Sequence, residues 1–262
     1  QKCDYIFHLA ALIGIPYSYK APNSYVETNI KGLLNVMNAV KEKNSTKIIH
    51  TSTSEVYGTA KFIPMTEDHP LNAQSPYAAS KIGADQLAIS FYKSFNLPIS
   101  IIRPFNTYGP RQSLRAIIPT IITQFLNKKT NKLKLGNVNV TRDFNFISDT
   151  VNGFISTIKA KKIFGEIINI GSNYEISVKE IIQIVSKFTN INKEIEINKL
   201  RVRLLSAEVK RLRASNKKAK KLLNWEPKFR NKIGFQKGIK LTIEWYKDPE
   251  NLKKFKTNIY NI

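Results

Sequence analysis

One cysteine, Cys3, stands among 262 residues. A disulfide framework within the chain is therefore excluded, and no Cys/His cluster is spaced for zinc, so no metal site is expected. A reducing cytoplasm suits that composition. No apolar run approaches the roughly 20 residues that a membrane span needs, and no signal-peptide pattern opens the chain. Glycine is sparse: there are 11, no two of them three apart. The chain thus contains no G-x-x-G turn of the kind that cradles phosphate at a helix N-terminus. Acid is scarce as well, with 19 Asp+Glu against 42 Lys+Arg and a net charge of +23. Such an excess is the electrostatic footprint of a nucleic-acid binder. It is concentrated between Lys199 and Lys232, where 13 basic residues meet only Glu208 and Glu226. No zinc finger, RNA-binding aromatic signature or helix-turn-helix pattern accompanies it, so nucleic acid is not an expected partner.

What the chain does have is hydrophobic content of 42%, enough for a substantial core. Short apolar strands alternate with amphipathic stretches. A strand over Asp4 to Ala11 precedes Asn23 to Lys43, where Val26, Ile30, Leu33, Leu34, Met37 and Val40 recur at helical spacing. Strand Lys47 to Thr53, helix Pro76 to Asn96 and strand Ile99 to Arg103 follow. Repeating β-α units predict a parallel, doubly wound sheet. Beyond Gly109 the order loosens into a helix over Ala116 to Lys128 and strands at Lys132 to Leu135 and Ile167 to Gly171.

The most informative pair is Tyr77 and Lys81 in Ser75-Pro76-Tyr77-Ala78-Ala79-Ser80-Lys81. Four-residue spacing on a helix sets a phenol beside an ammonium. A neighbouring positive charge favours the phenolate, so a tyrosine pKa lowered towards neutrality is expected, with Tyr77 a usable proton acceptor. Upstream, Lys47-Ile48-Ile49-His50-Thr51-Ser52-Thr53-Ser54-Glu55-Val56-Tyr57-Gly58 is an apolar strand ending in hydroxyls and a carboxylate, where open α/β sheets place their ligands. Thr51 and Thr53, two apart, are expected on one strand face.

With the later run Arg103-Pro104-Phe105-Asn106-Thr107-Tyr108-Gly109-Pro110-Arg111-Gln112, these motifs stand in the order found in the extended short-chain dehydrogenase/reductases that modify nucleotide sugars, the NAD-dependent epimerase/dehydratase family. The chain resembles most the nucleotide-sugar 4,6-dehydratases, those acting on NDP-N-acetylglucosamine in legionaminic acid synthesis in particular, from Asp4 to about Trp225. The resemblance implies a Rossmann-type α/β fold lacking its first β-α-β units, because the family's glycine turn is absent. Residues 1–109 would be the remainder of the NAD-binding domain, and 110–262 a smaller substrate domain partly interleaved with the sheet. A chain without the glycine turn would be inactive on its own. The family also implies a homodimer through helices 23–43 and 76–96.

Site residues follow from the same resemblance. The backbone of His8, Leu9, Ala10 and Ala11 would border NAD, together with Thr51, Tyr77, Lys81 and Pro104. Thr53, Tyr77 and Lys81 match the catalytic trio, with Lys81 holding the phenolate and the cofactor ribose. Ser54 and Glu55 separate the reactions: family dehydratases carry an Asp-Glu or Ser-Glu here, whereas typical 4-epimerases lack this glutamate. Glu55 would remove the proton at C5, and the donor to the departing C6 hydroxyl stays open, Ser54 acting through a water being one route. Nucleotide-sugar decarboxylases share the Thr-Ser-Glu run and remain an alternative, as does the 4-epimerase. Outside enzymology, a basic nucleic-acid binder or an inactive fragment competes. Asn106 and Arg142 would contact the substrate, an amide and a guanidinium both being donors to phosphate oxygen. Arg111 and Arg211 are further substrate candidates. Departures on the nucleotide side are Leu204 and Ala207, where the family has proline and serine, and Ser215-Asn216, where Asp-Asn is usual.

Overall fold

The computed structural model describes residues 3–43, 46–202, 204–253 and 255; the rest of the 110–262 segment lies outside the described residues. Four parallel strands form the main sheet in the order β1-β2-β3-β7: β1 Tyr5–His8, β2 Lys47–Thr51, β3 Ile99–Pro104 and β7 Ile167–Ile170. Ile48 pairs with Ile6 on one side and Ile99 on the other, and Ile102 pairs with Ile168. These strands read as near-continuous β-branched runs because both sheet faces are covered. Successive side chains point to opposite faces. Ile48, Ile99 and Ile101 therefore pack on Leu33, Met37, Ala84, Ala88 and Phe91, whereas Ile49, Ile102 and Ile168 pack on Ala219, Leu223 and Trp225.

Several boundaries differ from the expected ones. The first strand stops at His8 rather than Ala11, and β2 stops at Thr51 rather than Thr53. The expected helix over Asn23 to Lys43 is two α-helical pieces, Pro22–Tyr25 and Gly32–Lys43, joined by a π-helical segment Val26–Lys31. A π-segment breaks the 3.6-residue period, which apolar spacing alone does not register. It points buried Asn29 at the chain after β1, where Oδ1 accepts from Leu12 N at 2.9 Å and Nδ2 donates to Leu12 O at 3.0 Å. The helix Pro76–Phe95 runs nearly as expected, because its ends are chemically marked: Ser75 Oγ accepts from Ala78 N at 3.1 Å, Pro76 fills the first turn, and Asn96 closes in the left-handed region at φ 51°.

Beyond β3 the chain builds a second lobe. Strand β4, Asn106–Tyr108, pairs in parallel with β6, Thr141–Phe146, which pairs antiparallel with β8, Glu175–Ser177. A two-stranded parallel ladder joins β5, Lys132–Leu135, to β9, Glu194–Ile197. Because β7 returns to the main sheet, the residues after 110 are shared between both sheets. Asp143 on β6 joins them. Fully buried, it accepts from Ser172 N at 2.8 Å, Ser172 Oγ at 2.6 Å, Asn173 N at 2.9 Å and Ala214 N at 3.0 Å, and burial pushes its carboxyl up to about 6. Ile121, Phe125, Phe144, Ile181 and Phe235 belong to this lobe's own core.

The helix Asn231–Lys247 closes that core through Gly238. A Cβ there would collide with the Tyr108 hydroxyl and come within 2.9 Å of the Phe146 ring, while Tyr108 Oη donates to Phe235 O at 3.1 Å. Gly238→Ala should destabilise the protein by about 1–3 kcal/mol despite alanine's better helix propensity, because overpacking outweighs it. Equilibrium urea unfolding checks this; an unchanged midpoint would show that the helix shifts freely.

Candidate active site

The five expected catalytic residues, Thr53, Ser54, Glu55, Tyr77 and Lys81, lie beside the C-terminal end of β2. Thr53 leaves the strand and caps a 3-10 turn, Ser54–Tyr57, its Oγ1 accepting from Glu55 N at 3.2 Å. Thr53 lies two residues beyond the last paired residue of β2, its backbone still extended at φ −158° before the 3-10 turn begins. Tyr77 is buried, and both the Thr53 hydroxyl and the Glu55 carboxylate lie close enough to act on its phenol. Ser54 is buried and Glu55 half-buried. Lys81, one helical turn after Tyr77, is only 2% exposed and its Nζ donates to Thr51 O at 2.5 Å.

The charge balance differs from the one expected from spacing. Burial raises the Tyr77 pKa above 10; Thr53 lowers it, and Glu55, Tyr25 and Asp85 raise it further. The Lys81 ammonium, for its part, is engaged on the Thr51 carbonyl. Desolvation of the phenol is the dominant effect. The same burial lowers Lys81 to about 8, against a smaller raising effect of Asp85.

Around this pair is a polar network that spacing arguments missed. His8 Nδ1 faces His50 Nδ1 at 3.3 Å, the two rings stacked, so the side chain of His8 is held inside while Leu9 beyond it is exposed. Burial lowers the pKa of both, that of His50 to about 4. His50 Nε2 stands 3.6 Å from Asp85 Oδ1, too long for a hydrogen bond. Asp85 Oδ2 accepts from Ser52 Oγ at 2.8 Å and from Arg103 Nε and Nη2 at 3.1 and 2.9 Å. Asn29 Nδ2 also donates to Ser80 Oγ at 2.9 Å, tying the segment after β1 to the helix of Tyr77 and Lys81. Two signals could have found Asp85 and Arg103: Asp85 continues the four-residue series 77, 81, 85, and Arg103 is a charge inside an apolar strand.

Other expected residues form a second group. Asn106 and Arg142 lie on the paired strands β4 and β6. Arg142 is nearly buried, donates to Thr141 O at 2.9 Å and faces Glu208 at 3.5 Å. Arg211 holds Glu175 by both carboxylate oxygens, and Thr141 Oγ1 joins that carboxylate at 3.1 Å. Arg111 is exposed, in the left-handed region at φ 66°, and Pro104 ends β3 half-buried. Ala10 is exposed and Ala11 half-buried at the open end of β1. The Thr51 hydroxyl is buried and has no hydrogen-bond partner, a lone polar group at this strand end suited to a cofactor. Among the described residues no group of three acidic, His or Cys side chains could hold a metal, and no helix is long and apolar enough to cross a membrane.

A family model described as GDP-mannose 4,6 dehydratase matches residues 1–242. The chain is 35% identical over 251 residues to a UDP-glucuronate 4-epimerase of Thermodesulfobacterium geofontis, covering 95% of this chain and 74% of that protein. It is 32% identical over 262 residues to the dTDP-D-glucose 4,6-dehydratase of Homo sapiens, covering 95% and 70%. Among solved structures, the dTDP-glucose 4,6-dehydratase of Bacillus anthracis in complex with NAD superposes with a TM-score of 0.82 at 30% identity, covering 96% of this chain and 75% of that one.

The buried ammonium has a sign that can be tested. A lysine whose folded pKa, about 8, lies below its unfolded value of 10.5 disfavours the folded state at low pH, and that penalty fades as pH rises between the two values. From pH 7.5 to 9.5 the parent should gain on the order of 1–2 kcal/mol relative to Lys81→Met. Paired urea titrations at the two pH values read this difference directly; parallel curves would mean that Lys81 is solvated.

Proposed function

We propose, for a chain that belongs to the NAD-dependent epimerase/dehydratase family of nucleotide-sugar enzymes, that it converts an NDP-hexose, NDP-N-acetylglucosamine by its motif resemblance, to the 4-keto-6-deoxy sugar. The observation that carries the reading is the placing of Glu55: a carboxylate on a 3-10 turn capped by Thr53, both near enough to Tyr77 to act on its phenol, so that an acid–base group stands beside the proposed redox tyrosine.

Tyr77 takes the proton of the C4 hydroxyl, relayed by Thr53. Its raised pKa means that an ammonium must turn towards it before it works as a base at neutral pH, and Lys81, hinged on Thr51 O, is the cation within reach. Thr51, with its unpartnered hydroxyl, and Lys81 would hold NAD with the strand-end backbone at His8 to Ala11 and Pro104. Bound there, NAD supplies the acceptor for hydride from C4 and its return to C6, so the net change is loss of one water. Glu55 removes the C5 proton, made acidic by the C4 ketone, as the C6 hydroxyl departs with a proton. Asn106, Arg142, Arg111 and Arg211 are the proposed contacts of the substrate. Arg142 and Arg211 now rest on Glu208 and Glu175, carboxylates that a diphosphate could replace as acceptor.

In the NAD-loaded full-length protein, Glu55→Gln should slow water loss by roughly two to four orders of magnitude while oxidation at C4 continues, so reduced nicotinamide absorbance builds up. Dehydration at the parent rate would remove the assignment. A second reading is favoured by the 35% identity to a UDP-glucuronate 4-epimerase: inversion at C4 of a nucleotide uronate with no loss of water would select it, and release of carbon dioxide would select a decarboxylase.

We extend the proposal to a homodimer through residues 23–43 and 76–96, where Val26 and Phe95 are exposed. Light scattering at micromolar concentration should return twice the monomer mass, and a monomer would exclude it.

A further inference from the structure

Asp85 is fully buried on the helix Pro76–Phe95, one turn beyond Lys81 and two beyond Tyr77. Its Oδ2 receives the Nε and Nη2 groups of Arg103 at 3.1 and 2.9 Å. The remaining arm, Arg103 Nη1, donates at 2.9 Å to the hydroxyl of Tyr57, which in turn donates at 2.7 Å to Asn169 Oδ1 on β7. The guanidinium also lies 4.8 Å from the centre of the Tyr57 ring. Tyr57 is the last residue of the 3-10 turn that carries Ser54 and Glu55. One planar, rigid group thus bonds, on one side, the helix bearing the redox pair and, on the other, the turn bearing the proposed base.

We propose that Arg103 is a positioning residue, a buried fork that sets the Glu55 turn against the Tyr77/Lys81 helix so that oxidation at C4 and proton removal at C5 act on one sugar ring. The inference rests on the dehydratase reading and adds the device that couples its two halves. Stability alone would not require an ion pair here, since a buried pair is often no better than well-packed apolar side chains. What an apolar pair cannot supply is direction: guanidinium donors leave in fixed directions, and misplacement of a reacting group by about 1 Å can cost on the order of 100-fold.

Removing Arg103 outright would leave Asp85 buried and unpaired, so the test uses Tyr57→Phe, which deletes one oxygen, and Arg103→Lys, which keeps the charge and loses the fork. In substrate-free protein, the amide of Gly58, which donates to Glu55 O at 3.2 Å, should exchange with deuterium at least about tenfold faster in Tyr57→Phe, while amides of the helix Pro76–Phe95 keep the parent rate. In single turnovers of the NAD-loaded full-length protein with NDP-hexose, both variants should keep C4 oxidation within about threefold of the parent and lose at least about tenfold in water loss. Reduced nicotinamide would then accumulate. A purely structural role would lower the melting temperature and leave the ratio of the two rates unchanged, and that result overturns the proposal. Faster exchange at Gly58 in a parent enzyme that inverts C4 without losing water would retain the fork and discard the dehydratase reading; a dehydrating parent with unchanged exchange and an unchanged rate ratio would do the reverse.

Discussion

The buried pair of Asp85 and Arg103 is the constraint on which the site depends. Both side chains are essentially without solvent. Breaking such a pair by removing one partner costs about 3–5 kcal/mol, because the charge left behind is uncompensated. Three donors converge on one carboxylate oxygen, and the arginine spends its remaining arm on Tyr57. Full burial raises the Asp85 pKa, but His50, then Arg103 and Ser52, outweigh it and hold the carboxyl below its ordinary range. A fixed negative charge one turn from Lys81 follows, and it counters part of the desolvation that lowers the amine. Fold and electrostatics are therefore set by the same contact: the strand carries the cation, the helix carries the anion, and the helix cannot turn or slide without losing both.

Much of the main sheet was legible because its signals are local. Ser75, Pro76 and Asn96 mark the ends of the helix Pro76–Phe95, and the isoleucine runs of β2, β3 and β7 read as strands covered on both faces. The 3-10 turn at Ser54–Tyr57 was not legible, since the threonine that caps it serves equally well at a strand end. Nor was the π-segment, for Ile30, Leu33 and Leu34 keep an apparent helical period across it. Within the candidate site, the helical spacing of Tyr77 and Lys81 was readable and the electrostatics were not. Spacing says that Tyr77 and Lys81 are neighbours, but the pKa of a buried phenol depends on how much water is lost and on where the ammonium points. Both depend on Thr51, Thr53 and Asp85, which come from three different elements.

The second lobe carries a different kind of charge. Arg211 holds Glu175 while half its side chain is exposed, a geometry in which a salt bridge contributes roughly 0–1 kcal/mol. Arg142 and Glu208 are more enclosed but separated by 3.5 Å. The Arg211 pair is inexpensive to break, so under the proposed function its guanidinium is held in place before binding and can exchange a carboxylate for phosphate oxygens with little net loss. The Asp85–Arg103 pair is the opposite case, since no ligand could compensate for opening it. Under the proposed function the two lobes divide the work accordingly. The charge of Arg211, which would exchange partners, is half-exposed on the second lobe, and the charge that must not move is sealed between β3 and the helix of Tyr77, where its only freedom is to align the residues proposed to do the chemistry.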